Sequence, residues 1–79
     1  MMSMGAWAVL KQLNQGGVWD GALIDKAGRT ELISKGLARR DRAFEDGPYA
    51  GCQINELTDD GAKLALVCID LDRRFLAVN

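Results

Sequence analysis

With 79 residues, 48% of them apolar and 27% charged, the chain has room for one domain (1–79) with a modest core, is too apolar for disorder and has no run long enough to cross a bilayer. A net charge of −1 with no histidine removes the usual proton shuttle near neutral pH and argues against an enzyme. The opening Met1–Ala6 segment has no basic stretch followed by an apolar one, so no signal peptide is expected and a cytoplasmic protein is.

From Ser3 to about Gln15, Ala6, Val9, Leu10 and Leu13 recur at helical spacing beside Trp7. Ser3 is a plausible cap and Gly16-Gly17 a stop. Val18-Trp19-Asp20-Gly21 reads as a turn, with Trp19 expected to plug the core. A second helix starts at Asp25, which can accept backbone N–H bonds; Ile24, Gly28 and Leu32 are expected on one face, Gly28 allowing close packing. Gly36 stands where a left-handed C-terminal residue is needed, and Leu37 should fold back behind it.

Two strands are predicted, Leu37 to Ala43 and Cys52 to Leu57, joined by a loop from Phe44 to Gly51 with two glycines and the single proline. Thr58 can cap a last helix from Asp59 to about Arg74, with Asp59 and Asp60 at the positive end of its dipole. Apolar residues such as Leu66 and Ile69 spread around that helix. One small domain cannot cover every direction, so a homodimer through this helix is expected. The fold class that follows is α+β, mainly α, in the order helix, helix, strand, strand, helix.

Charge is unevenly placed. Residues 1–44 carry seven cations against four anions, and residues 45–79 three against seven. Such a split can orient a domain on a polyanion or set two copies head to tail. Arg29, Lys35, Arg39, Arg40 and Arg42 form the basic concentration, able either to face phosphates or to pair locally, for example Arg39 or Arg42 with Asp41 or Glu56. Phe44 and Tyr49, beside Glu45 and Asp46, suit a protein interface instead. Cys52 and Cys68 read as buried free thiols. Two cysteines without histidine make a poor zinc site, neighbouring carboxylates on a helix do not converge, and no nucleophile with a base can be assembled, so neither metal nor cofactor is expected.

Two motifs carry a resemblance. Leu32-Ile33-Ser34-Lys35-Gly36-Leu37-Ala38-Arg39-Arg40 is similar to the end of a recognition helix running into a wing strand. Leu57-Thr58-Asp59-Asp60-Gly61-Ala62-Lys63-Leu64 is similar to the junction after the wing. Over roughly residues 4–75 the chain resembles winged helix-turn-helix proteins, such as the multiple-antibiotic-resistance-type regulators. The resemblance implies a small transcription regulator whose recognition helix, about Lys26–Lys35, enters the DNA major groove with Lys26, Arg29, Thr30 and Ser34 as contacts. The family places two helices before the Gly-Leu motif, whereas only about nineteen residues separate Gly17 from Gly36, so the helix-turn-helix is truncated or merged. A Trp-Asp-Gly turn before a Lys-x-x-Arg helix also looks like short bacteriophage and prophage proteins. That likeness, with the acidic loop, implies the rival reading of a phage-encoded module that docks on a host protein and inhibits it.

Overall fold

The computed structural model describes residues 2–78, with side chains described through residue 70. It is a small α+β domain of three helices and a two-stranded antiparallel sheet, in the order expected. Helix α1 spans Met4–Leu13. The Ser3 hydroxyl accepts the Ala6 N–H at 3.1 Å, as its place at the cap predicts. Ala6, Val9, Leu10 and Leu13 are buried on one face, and Trp7 packs partly buried against them.

After Gly16, whose φ of 139° favours glycine, the chain runs alongside the later hairpin. Val18 and Asn55 exchange both backbone bonds, N–H to carbonyl at 2.9 and 2.8 Å. A single 3-10 turn, Asp20–Ala22, follows. Trp19 does not plug the core: it is half-buried and stacks on Tyr49 of the hairpin loop, ring centroids 4.9 Å apart. Trp19 stands just before that turn, and its ring is taken up by Tyr49 instead of the core.

Helix α2 spans Lys26–Ser34, and the Asp25 carboxylate accepts the Gly28 N–H at 2.7 Å. Gly28 does provide close packing: a Cβ there would meet the Gly5 carbonyl carbon and oxygen at 2.5 Å. Ile24 departs from expectation and is 66% exposed. It precedes the cap, and its N–H is tied to the Gln12 side chain at 3.0 Å, so it never joins the helical face that Leu32 buries.

The helix closes as predicted. Gly36 has φ 74°, its N–H reaches the Ile33 carbonyl at 3.0 Å, and the Leu37 N–H reaches Leu32 at 2.9 Å. Because Leu37 is used in this closure, strand β1 starts one residue later than expected, at Ala38–Ala43; β2 is Gln53–Leu57, since Cys52 donates to Tyr49 inside the loop. Ala38 faces Leu57, Arg39 faces Glu56, Arg42 faces Ile54 and Ala43 faces Gln53. Between these pairs Arg40 and Asp41 stand opposite Asn55 alone, a bulge.

Helix α3, Asp59–Val78, runs four residues past the expected end. The Thr58 hydroxyl accepts the Gly61 N–H at 3.2 Å and donates to the Gly36 carbonyl at 2.7 Å, while the Thr58 N–H reaches the Leu37 carbonyl at 3.1 Å. The two junction motifs are therefore in contact, and a Cβ on Gly61 would overlap the Leu37 carbonyl oxygen. Among the residues whose side chains are described, the buried apolar core is Ala6, Val9, Leu10, Leu13, Leu32, Ala38 and Ala65. Cys52 and Cys68 are free thiols, as expected, but only half-buried. Among the described residues no helix is long and apolar enough to cross a membrane.

Candidate nucleic-acid interface

The residues proposed for nucleic-acid contact separate into three groups. Lys26, Thr30, Ser34 and Lys35 are exposed along the outer side of α2, together with Ala27 and Ile33. The Thr30 hydroxyl donates to the Lys26 carbonyl at 3.1 Å and that of Ser34 to the Glu31 carbonyl at 3.0 Å, which leaves their lone pairs outward as acceptors. Glu31, the acid of this helix, turns away: its carboxylate accepts the Ser3 backbone N–H at 3.0 Å, and that bond, with the nearby Lys35 charge, holds its pKa below the ordinary value. The outer side of α2 thus presents polar and cationic residues, with Ala27 and the apolar Ile33 among them, and no carboxylate.

Arg29 and Arg40 form the second group, both tied to Asp20, Arg29 largely buried and Arg40 partly exposed. Arg29 is only 11% exposed and places Nη1 2.7 Å from Asp20 Oδ1 and 3.3 Å from Asn55 Oδ1. Arg40, projecting from the bulge, pairs with Asp20 Oδ2. Asn55, fully buried, donates from Nδ2 to Asp20 Oδ1 at 2.8 Å and to the Val18 carbonyl at 2.9 Å. The Asn55 amide, followed by the Arg40 and Arg29 charges, lowers the Asp20 pKa against the opposing effect of burial. One carboxylate therefore gathers the turn, α2, β1 and β2.

Arg39 and Arg42 form the third group, on the other side of the hairpin. They flank Glu56: Arg39 Nη2 lies 3.2 Å from Oε1, and Arg42 contacts both oxygens at 3.0 and 2.9 Å. Arg39 also stands 3.9 Å from Asp41. The Arg42 bonds are the main cause of a lowered Glu56 pKa. The four arginines do not share one face, and each has a carboxylate partner.

The protein-interface candidates are also divided. Tyr49 stacks on Trp19 and lies 6.3 Å from Phe44 centroid to centroid, making an aromatic cluster at the base of a loop whose Glu45 and Asp46 are exposed. Leu66 is 64% exposed on α3, whereas Ile69 is half-buried. An open cleft of about 410 Å³ lies at the start of α3, lined by Arg39, Leu57, Thr58, Asp59 and Asp60. Its carboxylates already occupy the positive end of the helix dipole, which makes it a surface notch rather than an anion site. No group of three or more metal-ligating side chains converges among the described residues.

Sequence reasoning missed Asp20 and Asn55. Asp20-Gly21 reads as turn punctuation, and Asn55 as one more residue of a strand. The available signal was Asn55 itself, a polar side chain between Ile54 and Leu57 in a strand that must bury one face. Comparison with protein families, curated proteins and solved structures finds no match to this chain.

Proposed function

We propose that the protein is a compact winged-helix regulator that binds nucleic acid through α2. The observation that carries this reading is the outer side of that helix, where Lys26, Ala27, Thr30, Ser34 and Lys35 are exposed and Glu31 is drawn aside. Small polar residues with a cation at the leading turn suit entry into a major groove, where the first residues of a recognition helix reach base edges. The hairpin lies directly after α2, as a wing does, and the Asp20–Ala22 turn stands where the family has a further helix.

Arg29 and Arg40 are structural in this reading, so they leave the contact set. Arg39 and Arg42 reach phosphate only by sharing Glu56 with it. Binding is therefore modest and non-specific binding weak, because few cations release counterions. Fluorescence anisotropy with a generic duplex at low salt tests it. Thr30→Asp, an exposed change, should weaken binding at least about tenfold, and Lys35→Ala should flatten the salt slope by about 0.9. No binding at low salt, or binding indifferent to both changes, overturns the proposal.

A second reading, docking on and blocking a host protein, is favoured by the loop: Tyr49 is partly exposed and stacked on Trp19, and the same loop carries the exposed Glu45 and Asp46, a composition that repels phosphate and suits a protein partner. A stoichiometric protein retained from bacterial lysate after nuclease treatment, and lost on Tyr49→Ala, would favour it.

A further inference from the structure

We propose that α2 prefers A·T base pairs in the DNA major groove, with the methyl groups of Ala27, Thr30 and Ile33 set against the thymine C5-methyl. The inference rests on nucleic-acid binding through α2 and names what that binding selects.

Helix geometry puts Thr30 at the centre of the outward surface. It lies two residues from each of Gly28 and Leu32, the buried positions of the helix, and so points away from the core. Ala27 and Ile33 stand three residues to either side of it, Lys26 and Ser34 four, so these five exposed residues form one strip. Ile33 is 38% exposed, an apolar side chain that the core does not take. Glu31 is drawn to the Ser3 N–H, which leaves the charge of the strip complementary to a polyanion.

The strip lacks the groups that read a purine through paired hydrogen bonds. Arg29 is the arginine of this helix, and its guanidinium is bound to Asp20 and Asn55. Neither asparagine nor glutamine occurs between Lys26 and Ser34. Both hydroxyls have committed their protons to the main chain, Thr30 to the Lys26 carbonyl at 3.1 Å and Ser34 to that of Glu31 at 3.0 Å. What they offer outward is lone pairs. The Thr30 bond also fixes χ1, and with it the γ-methyl.

In the major groove an A·T pair shows the adenine N6 amino group, a donor, together with the thymine methyl. Acceptor oxygens and methyl groups on the strip match both features. Guanine would instead set its N7 and O6 acceptors against lone pairs, and of the five side chains Lys26 alone can donate to them.

Fluorescence anisotropy at low salt with four duplexes of one length is the test: alternating adenine–thymine, the same with uracil for thymine, alternating guanine–cytosine, and the last with 5-methylcytosine. Uracil removes a methyl from the major groove and leaves the minor groove as it was. It should weaken binding about fourfold, the value of one methyl taken out of water. The guanine–cytosine duplex should bind more weakly than adenine–thymine, and 5-methylcytosine should recover part of the loss. Thr30→Ser keeps the hydroxyl and removes the γ-methyl, so the thymine-to-uracil ratio should fall to about twofold or less. Thr30→Val keeps the methyl groups and should preserve that ratio. Equal binding to thymine and uracil duplexes, tighter binding to guanine–cytosine, or a ratio unmoved by Thr30→Ser overturns this inference while duplex binding stands. Failure to bind any of the four overturns nucleic-acid binding through α2 and this inference with it.

Discussion

Asp20 and Asn55 show how a single buried amide fixes a surface. Asn55 has its backbone bonded to Val18 and its side chain bonded to Asp20, Val18 and Arg29. Asn55→Ala removes the donor from Asp20 and leaves the Val18 carbonyl and the Arg29 guanidinium with one partner fewer. A loss of about 1–3 kcal/mol is expected, which in a domain of this size lowers the melting temperature by roughly 4–8 °C per kcal/mol. Calorimetry reads it directly. Arg29→Ala should cost a similar amount, and so reports on folding rather than on nucleic-acid contact. Asp20, Glu31 and Glu56 all have folded-state pKa values below their ordinary ones. Their stabilisation is present above the unfolded values and is lost as pH falls through the folded ones, so the melting temperature should drop between about pH 5 and pH 2. In Asp20→Asn that drop should be smaller, and the variant less stable at neutral pH.

At the scale of elements, two glycines set how closely helices approach. Gly28 brings α2 against the Gly5 backbone, and Gly61 brings α3 against the Leu37 carbonyl. In an exposed helix, glycine to alanine would stabilise by about 1 kcal/mol. Here Gly28→Ala should destabilise by about 1–3 kcal/mol because backbone, not a flexible side chain, blocks the added methyl. Gly61→Ala should be worse, since it also breaks the meeting of Thr58 with Gly36 and Leu37. Chemical denaturation of the two variants beside Ala62→Gly, an exposed control expected to lose no more than about 1 kcal/mol, separates packing from propensity.

For the whole molecule, α3 is the longest element. Its 20 residues span about 30 Å, in a molecule measuring 44 × 25 × 21 Å. A 79-residue domain has little stability in reserve, and association that favours the folded state adds to it by mass action. If the exposed Leu66 and Val67 bring two copies together, as the sequence leads one to expect, the melting temperature should rise with protein concentration. Concentration-independent melting in the wild-type chain would separate α3 from the stability of the fold.

Element order, caps and stops were legible in the sequence because they are local. Ser3, Asp25 and Thr58 each cap the helix that follows, and Gly36 takes the left-handed conformation its position implied. Periodicity found the buried face of α1 but left that of α3 unassigned and misplaced Ile24, which lies outside the helix; Trp19, read as a core plug, has its partner thirty positions away. The basic segment was likewise legible as composition and illegible as a surface. Whether an arginine faces solvent or a carboxylate depends on residues distant in the chain: Asp20 for Arg29 and Arg40, Glu56 for Arg39 and Arg42. The sequence determined where the chain turns and which stretches coil or extend, since those preferences act over three or four residues. The pairing of Arg39 and Arg42 with Glu56 was foreseen, but only the tertiary structure gave Asp20 to Arg29 and Arg40, because the bulge opposite Asn55 and the bridge to Val18 bring together groups that no local spacing relates.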